Sequence, residues 1–124
     1  MIVVDSSIWV DFFRTPHERL AGLIGQDALI QHPFVTGEVG MGSFASRAAR
    51  AGTIEMLLGL EPMVVVLESQ FHDFVADADL FGTGAGFVDC HLLASLSESP
   101  EASLWTRDKR LATQAERLGL RLFA

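Results

Sequence analysis

The sequence predicts an α/β fold in which a mainly parallel sheet forms the middle of three layers, flanked by helices. Short β-branched runs without polar interruption, such as IVV at residues 2–4, are typical of strands buried on both faces. Helical patterns separate these runs, and that alternation favours parallel strands joined by crossovers. The 124 residues, of which 49% are hydrophobic, fit one domain spanning 1–124 with one core.

The first strand and the first helix are predicted within residues 2–13. Asp5 follows the strand directly and lies at its carboxyl end. Ser6 or Ser7 is suited to cap the helix, because a hydroxyl oxygen can accept a hydrogen bond from a free N–H of the first turn. Taken alone, Asp5 would be interpreted only as a helix cap. Since open α/β sheets bind ligands at the carboxyl ends of their strands, however, we expect Asp5 to point into the functional crevice.

The next two predicted elements are a short helix and a short strand. Thr15 is suited to cap the helix, Pro16 suits its first position, and Glu18 completes a capping box. Gly25 marks the expected end of this helix. Residues 28–30 then predict the second strand.

A helical pattern spans residues 34–50, and a second helical piece follows over 53–60. Three glycines interrupt the first pattern, and each costs about 1 kcal/mol relative to alanine in a helix interior. We therefore expect another backbone, from a neighbouring helix or a partner chain, to pack very close to this segment.

The second half of the chain repeats the alternation of apolar runs and helical patterns. A glycine-rich turn at 82–86 lacks the Gly-Lys-Ser/Thr ending of a phosphate-binding loop, so we interpret it as a tight entry to the helix that follows. The predicted elements are, in order, a buried strand at 63–67, helices at 68–81 and 87–97, a strand at 104–105, a helix at 109–118 capped by Asp108, and a strand at 120–123.

The charge balance is acidic, with 9 Lys and Arg residues against 16 Asp and Glu residues and a net charge of −7. This balance argues against a basic nucleic-acid binder, unless acidic side chains hold metal ions that change the local charge. No apolar run approaches the roughly 20 residues of a membrane span, and no signal-peptide pattern precedes the first strand. The one cysteine, Cys90, has no partner for an internal disulfide and is expected to be a small buried hydrophobe. We therefore expect a cytoplasmic protein.

Four acidic residues lie at the ends or interruptions of predicted elements. Asp5 and Asp108 end strands, Asp89 lies in the first turn of a helix, and Glu38 lies in the glycine-rich helical stretch. Each alone could be a cap or a surface charge. Parallel strands would nevertheless bring Asp5 and Asp108 to one edge of the sheet, where the helix of Asp89 also begins.

Carboxylates crowded together repel one another, and hard divalent cations such as Mg²⁺ relieve that repulsion. A metal pair held in this way can activate water and stabilise the leaving oxygen of a phosphodiester. Ser6 and Thr106 lie beside two of the acids and are candidates for orienting a carboxylate. For the phosphates of a nucleic acid, we expect contacts from Arg107 and Lys109, which flank Asp108.

Four motifs occur in order along the chain, and the resemblance that they carry extends over essentially the whole chain. They are IVVDSS at residues 2–7 with Trp9 and Phe12, GEV at 37–39, GFVD at 86–89, and TRDKRL at 106–111. Together they resemble the PIN-domain ribonucleases, and specifically the VapC-type toxins of type II toxin–antitoxin (VapBC) systems.

The resemblance implies a PIN-like fold and a toxin that is an endoribonuclease dependent on Mg²⁺, or on Mn²⁺. By the same resemblance, the protein would be a homodimer neutralised by a cognate VapB-type antitoxin that wraps it with a C-terminal segment. The residues that match the family's acidic quartet are Asp5, Glu38, Asp89 and Asp108, and those that match its hydroxyl positions are Ser6 and Thr106.

Two other function classes fit parts of the pattern. A phospho-acceptor receiver domain shares the length and the α/β order, but it needs an acidic pair after the first strand and an aspartate ending the central strand. Here Asp5 stands alone, and the predicted central strand ends at Leu67. A non-catalytic binding module that acts only through its partner is the second alternative, and the complete acidic quartet argues against it.

Overall fold

The computed structural model describes residues 1–124 as a four-stranded sheet with seven helices. The strands are β1 (Ile2–Val4), β2 (Leu29–Gln31), β3 (Glu61–Pro62) and β4 (Ser103–Trp105). The helices are α1 (Ser6–Arg14), α2 (Glu18–Ile24), α3 (Pro33–Gly40), α4 (Arg47–Leu58), α5 (Glu68–Asp77), α6 (Phe87–Ser97) and α7 (Lys109–Arg117). The order matches the predicted alternation except at the last strand.

The sheet has the order β3-β2-β1-β4, and all neighbouring strands are parallel, which confirms the predicted topology. Val3 of β1 pairs with Ile30 of β2 on one side and with Leu104 of β4 on the other. The strand that precedes Asp5 is therefore central. The carboxyl ends of β1 and β4 lie side by side, which is the placement that the acidic residues require.

The sheet divides the core into two layers of buried side chains. Val3, Ile30 and Leu104 belong to a cluster of 15 buried residues, which also contains Cys90. Ile2 and its alternate neighbours along the strands belong to a second cluster of 8 residues. Because successive side chains of a strand point to opposite faces, both faces of the sheet are covered, as the apolar runs predicted. The prediction of a single core was too simple.

The predicted helix over 34–50 is in fact two helices, because α3 ends at Gly40 and α4 begins after its cap Ser46. The predicted piece over 53–60 is the second half of α4. The expected close approach of another backbone is not found. At Gly40 the close neighbours are side chains of α4, and a Cβ atom there would lie 2.9 Å from the Cδ1 atom of Ile54, whereas nothing lies within 4 Å of such an atom at Gly37.

The strand predicted over 63–67 is wrong, because β3 is Glu61–Pro62 at the edge of the sheet. The N–H of Met63 still donates to the carbonyl of Gln31 at 2.8 Å, after which the chain leaves the sheet. Val64 is 81% exposed. An apolar run does not distinguish a central strand from a segment that leaves an edge strand.

Three smaller boundaries also differ. The side chain of His17, not Thr15, caps α2, whereas Gly25 ends that helix as predicted. Helix α5 stops at Asp77, and Asp79 beyond it has a positive φ of 51°. The predicted strand over 120–123 is reduced to one parallel bridge between Leu104 and Leu122. None of the helices is long and apolar enough to cross a membrane.

Candidate active site

Asp5 is the N-cap of α1, which corrects the expectation that Ser6 or Ser7 provides the cap. Its side chain is buried at the carboxyl end of β1. Oδ1 accepts a hydrogen bond from the backbone N–H of Ser6 at 2.7 Å. Oδ2 accepts from the Ser7 hydroxyl at 2.8 Å and from the Thr106 hydroxyl at 2.7 Å. These donors fix the orientation of the carboxylate.

Thr106 connects the ends of β1 and β4. Its hydroxyl donates to Asp5 and accepts a hydrogen bond from the backbone N–H of Asp108 at 2.9 Å. The backbone N–H of Asp5 also donates to the carbonyl of Trp105 at 2.9 Å. One hydroxyl thus holds two of the predicted acidic residues in a fixed relation.

Asp108 caps α7, as predicted. Its Oδ1 accepts from the backbone N–H groups of Arg110 at 2.9 Å and Leu111 at 3.2 Å. Its other oxygen accepts no hydrogen bond from the protein. Asp108 therefore keeps one carboxylate oxygen free for a ligand while the first serves the helix.

Asp89 lies in the first turn of α6, and its half-buried carboxyl group interacts electrostatically with the other three predicted acids. Its pKa is raised from 3.8 to about 6, first by burial and then by the negative charges of Asp5, Asp108 and Glu38. Like charges raise a carboxyl pKa in this way only when they are near. The fold therefore brings the four predicted acids into one electrostatic neighbourhood.

The four acids do not form a closed cage. No group of three or more His, Cys, Asp or Glu side chains is arranged to hold a metal ion directly. The donor set nevertheless suits a hard cation, because every candidate ligand is a carboxylate oxygen. Mg²⁺ usually keeps several waters and takes only one or two carboxylates, so an open arrangement of this kind fits it.

The remaining predicted site residues, Ser6, Arg107 and Lys109, differ in the contacts that they make. The Ser6 hydroxyl reaches Oδ1 of Asp5 only at 3.4 Å, whereas the shorter bond comes from Ser7, which the sequence reasoning did not assign to the site. Arg107 forms an ion pair with Asp11, while Lys109 is exposed and has no acidic partner. The Asp-Ser-Ser sequence could have indicated Ser7, since a residue in the first helical turn can bond the cap side chain.

The raised pKa of Asp89 predicts a cost to stability in the metal-free protein. Between pH 3.8 and about 6 the folded chain binds more protons than the unfolded chain, so the free energy of unfolding falls as pH rises. The cost is complete above about pH 6 and disappears below 3.8. We therefore expect Asp89→Asn to raise the Tm in EDTA at about pH 8, and to raise it less at about pH 5.

Thermal denaturation of the matched variant Asp73→Asn provides the control. Asp73 lies exposed on α5, and its substitution changes the net charge equally. An equal Tm change in both variants, or a gain from Asp89→Asn that does not depend on pH, would show that the four acids do not repel one another.

Comparisons with known proteins agree with this architecture. No protein-family model matches the chain. Two curated proteins of Mycobacterium tuberculosis, from the strains CDC 1551 / Oshkosh and H37Rv, are both named Ribonuclease VapC32. Each is 36% identical to this chain over 122 residues, which cover 98% of the chain and 96% of the relative.

The crystal structure of PAE2754 from Pyrobaculum aerophilum has a similar fold, with a TM-score of 0.62 and 16% sequence identity. The alignment covers 91% of this chain and 83% of that one. This likeness concerns the fold, whereas the sequence identity extends over nearly the full length of the curated relatives. The sequence identity supports a ribonuclease over a receiver domain or a non-catalytic module. The chain belongs to the VapC family of PIN-domain ribonucleases.

Proposed function

We propose that this protein is an endoribonuclease toxin dependent on Mg²⁺, or on Mn²⁺, whose metal-binding and catalytic residues are Asp5, Glu38, Asp89 and Asp108. The observation that carries the proposal is the raised pKa of Asp89, which has the charges of the other three acids among its causes. A structural domain would gain nothing from carboxylates that repel one another at the end of its central strand. A cation-binding site needs that arrangement.

The chemistry follows from what each residue offers. When bound, a divalent cation lowers the pKa of water and neutralises charge on phosphate oxygens. The free oxygen of Asp108 and the half-buried carboxyl group of Asp89 are candidates to hold it together with Asp5. Asp5 is already oriented by three hydrogen bonds, so little reorganisation is required when charge develops on the phosphate.

The protein supplies position and charge rather than a covalent nucleophile. Water attacks phosphorus in line with the leaving oxygen, and the scissile phosphate lies beyond the carboxyl ends of β1 and β4. Glu38 is exposed on α3 and is the most accessible of the four acids to solvent and substrate. Its charge is the last of the causes that raise the Asp89 pKa, which is consistent with a position at the rim.

The metal dependence is tested by RNA cleavage with Mg²⁺, with EDTA, and in Asp5→Asn. Asparagine is as good an N-cap as aspartate, so α1 should remain intact while one negative charge is lost. We expect cleavage to fall by at least about 100-fold in EDTA and in this variant, because the metal contributes several kcal/mol to the transition state. Asp73→Asn should cleave normally. Undiminished cleavage in EDTA would reject the metal mechanism.

Thr106 is proposed as a positioning residue, because its hydroxyl holds both Asp5 and the backbone of Asp108. Thr106→Val keeps the shape but removes the hydroxyl, and Thr106→Ser restores it. We expect Thr106→Val to raise the Mg²⁺ concentration needed for half-maximal cleavage and to lower kcat by about 10- to 100-fold, as for lost partners of metal ligands. Titration of cleavage activity with Mg²⁺ measures this. Full activity of Thr106→Val beside a loss in Thr106→Ser would indicate that the methyl packing, not the hydroxyl, matters.

We further propose that the protein is a homodimer, and a pair of exposed aromatic rings supports this. Phe34 and Phe87 stack with ring centroids 6.1 Å apart and planes 20° apart. Both contact His91, which stacks on the buried ring of Phe71 at 3.9 Å. Phe87 is 62% exposed. Rigidly supported aromatic side chains are enriched at protein interfaces, so this aromatic pair is a candidate for dimer contact.

Sedimentation velocity tests the aromatic pair as the interface. The unaltered protein should sediment as a dimer and Phe87→Asp as a monomer, because a charge would be buried unpaired in the contact. Leu58→Asp alters an equally exposed side chain on α4 and should leave the dimer intact. A Phe87→Asp dimer would place the interface elsewhere.

We also propose that a cognate VapB-type antitoxin neutralises the ribonuclease, since the chain belongs to the VapC family. The exposed apolar side chains Val10 and Phe13 on α1 line a groove of about 480 Å³ together with α3 and the segment leading into α4. An apolar groove of this kind suits a segment of the antitoxin that folds on binding. Inhibition of RNA cleavage by the antitoxin, and its loss in Phe13→Asp, measures this partnership.

A further inference from the structure

A cleft of about 640 Å³ lies between the glycine-rich turn and α7. Two of the four acids, Asp89 and Asp108, line this cleft together with Lys109 and Arg110. The cleft is therefore continuous with the acidic site but extends beyond it. Its volume falls in the range of roughly 300–1,000 Å³ in which proteins enclose small organic ligands, so it has room for a nucleotide unit rather than a bare ion.

The two cations of the cleft have no partner within the protein. Neither the Arg110 guanidinium nor the Lys109 ammonium forms a hydrogen bond or an ion pair, whereas Arg107 is held by Asp11. Both side chains are exposed. In a chain with a net charge of −7, unpaired cations beside an acidic site are available for an anion from outside.

The wall of the cleft opposite α7 is the glycine-rich turn, which is formed largely by backbone atoms. Gly82 and Gly84 have positive φ angles of 74° and 83°, which favour glycine. The Thr83 hydroxyl donates to the carbonyl of Leu80 at 2.6 Å and accepts from the N–H of Ala85 at 3.3 Å, so the turn is internally held. A Cβ atom on Gly84 would lie 3.5 Å from Nη1 of Arg110, which places the guanidinium against this wall.

We propose that this cleft binds the RNA strand next to the scissile phosphate, with Arg110 and Lys109 contacting backbone phosphates and the glycine-rich turn admitting the adjacent nucleotide. The inference rests on the proposed function, because it takes RNA as the substrate. It also gives the acidic site a way to retain a polyanion. The carboxylates of Asp89 and Asp108 repel phosphates, and the two unpaired cations of the same cleft attract them.

The test measures affinity separately from cleavage. A fluorescein-labelled, random-sequence single-stranded RNA is titrated with Asp5→Asn protein in Mg²⁺ and followed by fluorescence anisotropy. Adding Arg110→Gln should weaken binding about three- to tenfold and reduce the slope of log affinity against log salt by about 1, as expected for one lost phosphate contact. Adding Lys109→Gln should reduce the slope again.

Arg121→Gln is the matched control, because Arg121 is exposed, has no acidic partner and lies outside the cleft. It removes the same charge and should leave the affinity unchanged. Equal affinities for the Arg110→Gln and Arg121→Gln proteins would overturn the cleft proposal, because any loss that both variants share would reflect net charge alone.

Steady-state cleavage by the otherwise unaltered protein gives a second readout. Arg110→Gln should raise KM for the RNA and change kcat by less than about twofold, because a contact to a phosphate other than the scissile one binds ground state and transition state alike. A loss confined to kcat would contradict the cleft proposal. Full cleavage by Asp5→Asn would instead refute the proposed function, while the anisotropy comparison would still report on the cleft.

Discussion

The hydrogen bond from the Thr106 hydroxyl to Asp5 spans 101 positions of sequence and joins the ends of the two strands on which the proposed site depends. The parallel pairing of Val4 with Trp105 makes this bond geometrically available. Because the same hydroxyl accepts the N–H of Asp108, the start of α7 is fixed relative to β1. A small shift between the two strands would therefore move Asp5 and Asp108 apart.

Two of the four acids have a structural role as well as a place in the proposed site. Asp5 and Asp108 each cap a helix with one oxygen, and caps of this kind stabilise a protein by about 1 kcal/mol. Asp89 is different, because its raised pKa means that its charge opposes folding near neutral pH. The caps thus partly offset the repulsion that a cation site imposes. Function and stability conflict at Asp89 and agree at the two caps.

Much of the framework was predictable because it depends on local pattern. The β-branched run of β1, the Asp108 cap and the end of α2 at Gly25 all follow from neighbouring residues. The failures came where tertiary context decides, as at residues 63–67, where an apolar run follows Pro62 at the edge of the sheet. The meeting of Asp5 and Asp108 was predictable from strand direction, whereas the inclusion of Glu38 depended on the family resemblance. The pairing of Arg107 with Asp11, 96 positions away, was not, and it left Arg110 as the unpaired arginine of the cleft.

An acidic protein that acts on RNA must hold a polyanion near carboxylates, and charge placement matters more than net charge here. The short range of electrostatic interactions in physiological salt, about 8 Å, lets a few unpaired cations govern a cleft even when distant acids dominate the total. Arg107 is neutralised by Asp11 and contributes little attraction, whereas Lys109 and Arg110 adjoin the acids in sequence as well as in space. The helix that Asp108 caps is thus also the element that carries the cations of the cleft. A displacement of α7 would change both the proposed metal binding and the proposed RNA binding, because Asp108, Lys109 and Arg110 lie together at its start.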